Sequence, residues 1–158
     1  MPLLSYMSFN KLTYSWKKEI DYRMSPQKYK VGKGEQGVLI CNPYKDEIVL
    51  FWRFKTPEIA KESSEKIYQL FLAYLDKNEF VGADMARKFL QMGFTRARRY
   101  TNYKGGRKYD AQNKQLLEKG TGDPEKGISA QIFFDKWQEA EKHPLYAKMK
   151  MDWKKQYG

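Results

Sequence analysis

Cysteine and histidine are nearly absent from this chain of 158 residues, which contains Cys41 and His143 as the single member of each type. One cysteine cannot form an internal disulfide, and one histidine beside it cannot complete a typical zinc site. A histidine-dependent catalytic triad has only His143 as its base. No apolar run approaches the ~20 residues of a membrane-spanning helix, and residues 1–18 lack the apolar core of a signal peptide. We therefore expect a soluble, cytoplasmic protein without a metal site or a membrane partner.

Acidic residues are scarce beside basic ones, with 19 Asp and Glu against 30 Lys and Arg, and the formal charge is +11. The excess is concentrated in residues 85–109, a window that contains no acidic residue. Its basic residues are Arg87, Lys88, Arg96, Arg98, Arg99, Lys104, Arg107 and Lys108. Clustered positive charge of this kind indicates a polyanionic partner.

Two short apolar stretches predict strands. The first is Val38–Cys41, and the Asn-Pro pair after it is typical of a turn. The second is Ile48–Phe54, whose even-numbered side chains are apolar, whereas Arg53 and Lys55 lie together on the other face. A further small hairpin is predicted over residues 107–118. The sequence therefore predicts a small antiparallel sheet.

Four segments have the start signals and the periodicity of helices. They are residues 57–76, residues 82–92 with Gly93 as the C-terminal cap, residues 123 to the break at His143-Pro144, and a last segment that carries Leu145, Met149 and Trp153. Together with the sheet they predict an α+β fold, in which a small antiparallel sheet packs against about four helices. We expect an aromatic N-terminal arm over residues 1–20 and a single domain over residues 21–158.

Three long strings in the chain are unusual: YKVGKGEQGVL from Tyr29, WRFKTPEIAKESSEKIY from Trp52, and ARKFLQMGFTRARRYTNYKGGRKYD from Ala86. They resemble a conserved domain of unknown function, about 150 residues long, that occurs in bacteria, fungi and large tailed phages. The strings DPEK and FFDKW extend the resemblance over most of the chain. The resemblance implies one compact domain and brings no known activity.

A glycine-rich string with Gly32, Gly34 and Gly37 matches a pattern that binds the phosphates of dinucleotides. That mechanism needs a helix directly after the loop, whereas here a strand is predicted to follow, as in the glycine-rich lid of protein kinases. No kinase catalytic loop accompanies the string. A turn ordered by its own side chains is the simpler interpretation. The alternative is a phosphate- or nucleotide-handling enzyme in which Glu35 supplies the acid or base.

Cations and tyrosines are interleaved after Gly93, a combination that is typical of nucleic-acid-binding surfaces. Arginine and lysine neutralise phosphates, and tyrosine rings stack on unpaired bases at ~1–3 kcal/mol each. The predicted binding residues are Arg96, Arg98, Arg99, Tyr100, Tyr103, Lys104, Arg107 and Lys108, extended by Arg53 and Lys55. Pairing with acids of the preceding helix would not account for so many cations, because surface ion pairs contribute only ~0–1 kcal/mol.

No set of residues forms a recognisable catalytic constellation, so we assign no catalytic residue, no metal ligand and no cofactor. Glu35, Glu47 and Asp84 are the acids that we would test first. The main hypothesis is a small basic protein that binds DNA or RNA in a sequence-tolerant way. A third hypothesis is an adaptor whose basic face binds an acidic protein, such as the host partner of a phage protein.

Overall fold

The regular structure of the described part of the chain is helical. A computed structural model describes residues 13–103, 115 and 122–158. It contains a one-turn 3-10 helix, Pro26–Lys28, followed by five α-helices. These are α1 (Tyr44–Val49), α2 (Pro57–Asp76), α3 (Phe80–Asn102), α4 (Pro124–Glu141) and α5 (Pro144–Tyr157). The described residues contain no strand, so the predicted α+β fold with an antiparallel sheet is wrong.

Both stretches that were predicted as strands fold differently. Residues 34–40 form consecutive turns, and Ile48 lies in α1. The first turn of α1 carries Asp46 and Glu47, and acidic residues stabilise the start of a helix. Ile48 and Tyr44 are one helical turn apart, and both are buried. Apolar runs as short as these do not distinguish a buried helix from a strand, which explains the error. The predicted hairpin, apart from residue 115, lies outside the described residues.

The last part of the second stretch is extended, but its partner is a helix. Trp52 packs against α3, and its Nε1 donates to the carbonyl oxygen of Phe89 at 3.0 Å. The ring of Phe54 lies 6.2 Å from that of Tyr100, also on α3. Arg53, between the two inward-facing rings, is exposed. The predicted alternation therefore holds from Trp52 to Phe54, whereas Leu50, predicted on the same face, is 65% exposed.

Helix α2 has the bounds that were predicted from its start signals. Thr56 Oγ1 accepts a hydrogen bond from the backbone nitrogen of Ile59 at 3.2 Å, and Pro57 occupies the first turn. The ring of Phe71 is fully buried and lies 5.3 Å from the ring of Tyr146 on α5. The helix therefore begins with a local cap and is held by an apolar face.

Helix α3 continues for nine residues beyond Gly93, which was predicted as its C-terminal cap. Gly93 lies against the ring of Phe133 on α4, so closely that a side chain at position 93 would overlap the ring. Ala97, one turn later, is also fully buried. The predicted cap is wrong because this glycine serves a close contact between two helices rather than a helix end.

The last two helices begin where they were predicted. Asp123 Oδ1 accepts a hydrogen bond from the backbone nitrogen of Glu125 at 2.9 Å, which caps α4. Pro144 starts α5 after the break at His143. On α5 the fully buried residue is Tyr146, whereas Leu145 is 45% exposed.

The first described segment belongs to the core. Trp16, Tyr22 and Tyr29 are buried, and Trp16 Nε1 donates to the carbonyl oxygen of Lys30 at 2.8 Å. The carbonyl oxygen of Tyr29 accepts a hydrogen bond from Trp153 Nε1 at 2.9 Å. The boundary between an arm over residues 1–20 and a domain over residues 21–158 stays a prediction. Among the described helices, none combines the length and the apolar character needed to cross a bilayer.

Candidate nucleic-acid interface

The basic window is divided between the interior and the surface of the molecule. Arg87 and Lys88 are buried in the first half of α3. Arg96, Arg98 and Arg99 are exposed in its second half. The other basic residues of the window, which lie outside the described residues, are Lys104, Arg107 and Lys108. The window is therefore not one continuous surface.

Asp84 is the centre of a buried charged cluster. Its Oδ1 lies 2.7 Å from Arg87 Nη2 and accepts a hydrogen bond from the Tyr146 hydroxyl at 2.6 Å. Its Oδ2 accepts a hydrogen bond from the Tyr29 hydroxyl. Burial acts to raise the pKa of Asp84, but Arg87 and Lys88, together with the two tyrosine hydroxyls, outweigh burial and hold this pKa at about 2. Both cations thus form ion pairs with a carboxylate in the core.

The same two cations hold the glycine-rich loop of residues 32–37. Arg87 Nη1 donates to the carbonyl oxygen of Gly34 at 2.6 Å. Lys88 Nζ donates to the carbonyl oxygen of Gln36. Burial lowers the pKa of Lys88 to about 8, although the charge of Asp84 opposes this shift. The loop therefore supplies carbonyl oxygens to buried cations.

The ring of Trp16 covers the two ends of this loop. Gly32 and Gly37 have φ angles of 70° and 82°, which favour glycine. A Cβ at either position would lie 2.7 Å or 2.6 Å from carbon atoms of the Trp16 ring. These contacts with Trp16, which lies outside the string, account for both glycines without a ligand. Phosphate binding by Gly32, Gly34 and Gly37 stays a prediction.

The three exposed arginines of α3 point to different sides of the helix. Helical spacing places Arg96 on the same side as Tyr100 and Arg98 on the far side, with Arg99 between the two sides. Within the described part of the chain, none of the three arginines forms an ion pair. The helix dipole favours a cation in the last turn by about 0.3–1 kcal/mol, which concerns Arg99 alone.

A surface groove beside Tyr100 gathers residues from four segments of the chain. Helix α3 contributes Tyr100, the extended segment contributes Arg53 and Lys55, and the first turns of α2 and α4 close its sides. We refer to it as the Tyr100 groove, and its residues are Arg53, Phe54, Lys55, Ile59, Tyr100 and Lys126. The structure thus brings three of the predicted binding residues together.

Lys126 is the cation of the groove that was not among the predicted binding residues. The backbone nitrogen of Asp123 donates to the carbonyl oxygen of Tyr100 at 3.0 Å, which joins the start of α4 to the end of α3. Lys126 Nζ then donates to the carbonyl oxygens of Phe54 and Lys55. A lysine in the first turn is unfavourable for the helix dipole. That local conflict was a signal in the sequence that the residue has a tertiary role.

Tyr103 does not line the groove, although it was predicted to stack beside Tyr100. It follows α3 directly, its backbone nitrogen donates to the carbonyl oxygen of Arg99 at 2.9 Å, and it is 8% exposed. Tyr100 is 39% exposed. Among the described residues, Tyr100 is therefore the predicted stacking residue whose ring faces solvent.

The other two acids singled out in the sequence have different surroundings. Glu35 is half-buried, and its carboxylate accepts a hydrogen bond from Thr95 Oγ1 at 3.1 Å. Burial raises the pKa of Glu35, against the effects of Thr95 and Arg96. Glu47 Oε2 lies 2.7 Å from Arg23 Nη1, and that pairing lowers the pKa of Glu47. Each acid is thus engaged by its own set of partners.

The chain has a clear match among protein families. Residues 13–156 match a family described as a domain of unknown function, DUF4385. The match includes α1 to α4 and all but the last residue of α5. No curated protein and no solved structure matches the chain. The resemblance of the three long strings to a conserved domain of unknown function is confirmed.

Proposed function

The chain belongs to the DUF4385 family, a domain of unknown function, and we propose from its surface chemistry that it is a sequence-tolerant nucleic-acid-binding protein. The observation that carries the proposal is a group of exposed cations that form no ion pair with any described residue. They are Arg53, Lys55, Arg96, Arg98 and Arg99.

Some of the other exposed cations of the molecule have partners. Arg23 lies 2.7 Å from Glu47 and 2.8 Å from Glu79, and Lys148 lies 3.0 Å from Asp152. Neighbouring cations that lack such partners repel one another, and this repulsion opposes folding. An external polyanion relieves the repulsion, and nucleic acid supplies regularly spaced phosphates that release their counterions on binding.

The chemistry of these side chains supports tolerance of sequence. Contacts from lysine and arginine to phosphates position a nucleic acid but carry no sequence information. An exposed ring such as that of Tyr100 stacks on any base, because every base has a π face. A surface of this composition is suited to binding the backbone and unpaired bases of many sequences.

Replacing Arg98 and Arg99 together by alanine tests the proposal. Loss of two phosphate contacts should weaken binding about tenfold or more, and should reduce the slope of log affinity against log salt by up to about 2. The measurement is fluorescence anisotropy with labelled single-stranded DNA, duplex DNA and RNA at several salt concentrations. Heparin and poly-glutamate serve as competitors that carry negative charge without bases.

Lys154→Ala with Lys155→Ala is the matched control. Both pairs are adjacent exposed cations in the last turns of a helix. The ring of Trp153 packs 5.1 Å from that of Phe80, at the first residue of α3. Since the 23 residues of α3 span about 34 Å, the control lies toward the opposite end of that helix. Equal losses in the two variants, or equal binding of nucleic acid and poly-glutamate by the wild type, would contradict the proposal.

A further inference from the structure

The Tyr100 groove combines an exposed ring with a rim of cations. Tyr100 is 39% exposed, and its ring lies at a centroid distance of 6.2 Å and an interplanar angle of 46° from the ring of Phe54. Arg53 and Lys55 are the residues before and after Phe54 in the chain, and both are exposed. An aromatic surface with positive charge beside it is the combination that proteins use to hold single-stranded nucleic acid.

Lys126 holds the groove in shape without a ligand. Its Nζ donates to the carbonyl oxygens of Phe54 and Lys55 and lies 5.9 Å from the centroid of the Phe54 ring. The hydrogen bond from Asp123 to the Tyr100 carbonyl oxygen fixes the other side. The segment that carries the two exposed cations is therefore tied to α4, and little ordering remains to be done when a ligand binds.

We infer that the Tyr100 groove binds an unpaired base, which places single-stranded DNA or RNA as the ligand class of this protein. The inference rests on the proposed function and adds to it the geometry of one nucleotide. The base stacks on the exposed face of Tyr100, and the phosphates on either side of it are neutralised by Arg53 and Lys55. Arg96, one turn before Tyr100 on the same side of α3, extends the positive charge for a neighbouring phosphate.

A duplex satisfies this groove less well. The faces of paired bases are covered by their neighbours, and only their edges are available in the grooves of the helix. Tyr100 can therefore reach a base face only where the base is unpaired or has been turned out of the duplex. The protein should then prefer single strands to duplexes of equal charge, and the preference should depend on the ring.

Two substitutions at Tyr100 separate the ring from the bulk of the side chain. Tyr100→Phe keeps the ring, and its affinity for an oligothymidylate should stay within about twofold of wild type. Tyr100→Leu removes the ring, and that affinity should fall about tenfold, as the loss of one stacked base implies. An abasic oligonucleotide of the same length carries the same phosphates, and all three proteins should bind it equally. Anisotropy of labelled oligonucleotides at fixed salt measures each affinity.

Tyr157→Leu, which removes a half-buried tyrosine ring from the end of α5, is the control for a non-specific effect. Thermal unfolding confirms that each variant is folded. Unchanged oligothymidylate binding by Tyr100→Leu, or equal wild-type affinity for oligothymidylate and the abasic strand, overturns the inference and leaves the proposed function intact. Failure of the wild type to bind any of the nucleic acids more tightly than poly-glutamate overturns both.

Discussion

Within one turn of α3, a carboxylate and two cations lie side by side in the core. Asp84, Arg87 and Lys88 are all buried, and the carboxylate is the group that makes burial of the cations tolerable. Among the described residues, Asp84→Asn leaves Lys88 without a charged partner, and it leaves Arg87 with Glu141, whose Oε1 lies 3.5 Å from Arg87 Nε. The substitution should lower the free energy of unfolding by about 3–5 kcal/mol, measured by urea denaturation near neutral pH.

Asp152→Asn is the control for that measurement, because Asp152 pairs with Lys148 at 3.0 Å on the surface. An exposed pair contributes at most about 1 kcal/mol. The pKa of Asp84 is about 2 in the folded protein, below its ordinary value of 3.8. The contribution of ionised Asp84 to the free energy of unfolding is therefore complete above pH 3.8 and is lost as the pH falls toward 2. The gap between wild type and Asp84→Asn should narrow over that range. A gap that is absent at neutral pH would show that the ion pair does not stabilise the core.

The pairing of these cations with Asp84 could partly be predicted from the sequence. Asp84 precedes Arg87 by three residues and Lys88 by four, which are the spacings at which helical side chains meet. Both cations belong to the basic window of residues 85–109, which begins directly after Asp84, so their pairing with Asp84 was not part of the prediction. The sequence did not show that Tyr29 and Tyr146 are further partners of Asp84, because these tyrosines come from distant segments.

Among the helices, the contact between α3 and α4 depends on a glycine. Gly93 lies against the ring of Phe133, which leaves no room for a Cβ. Gly93→Ala should therefore destabilise the protein by about 1–3 kcal/mol through overpacking, although alanine favours a helix by about 1 kcal/mol over glycine. Urea denaturation measures the change.

A double-mutant cycle with Phe133→Leu isolates the contact. The smaller side chain should make room for the new methyl group, so Gly93→Ala should cost less in that background. An increase in stability on Gly93→Ala alone would mean that helix propensity outweighs the contact and that the two helices separate easily.

Helix starts were predicted better than any other feature at this scale. Thr56 and Asp123 cap α2 and α4 through their own side chains, so the signal lies within four residues of the chain. The end of α3 and the absence of a sheet depended on tertiary partners instead. From the sequence alone Gly93 is typical of a helix cap, and its contact with Phe133 is visible only in the structure. The segment around Trp52 has the pattern of a strand, but its neighbour in the structure is α3 rather than another strand.

For the molecule as a whole, the segment that precedes α1 is part of the interior. The ring of Trp16 covers Gly32 and Gly37 and lies 5.1 Å from Lys88 Nζ. Trp16→Ala should lower the free energy of unfolding by about 3–5 kcal/mol, as the loss of a large buried ring does. The measurement is denaturant unfolding followed by circular dichroism.

Met24→Ala in the same segment is the control, since Met24 is 79% exposed and such a change should stay within about 0.5 kcal/mol. Wild-type stability of Trp16→Ala would support the sequence-based division into an arm over residues 1–20 and a domain over residues 21–158. At this scale the sequence predicted a basic molecule with one dominant cluster of charge. The depth at which part of that cluster is buried depends on Tyr29 and Tyr146, which come from distant segments of the chain.

The interior of this protein joins the earliest described residues to the latest, and this has a consequence for its synthesis. The carbonyl oxygen of Tyr29 accepts a hydrogen bond from Trp153, 124 residues later in the chain. Asp84 accepts one from Tyr146, 62 residues later. A chain leaving the ribosome can form α2 and α3 early, yet its charged core stays incomplete until α5 has been made. Until then Asp84 lacks the Tyr146 hydroxyl and Phe71 lacks the Tyr146 ring, and exposed apolar surface of this kind is what makes incomplete chains prone to aggregate.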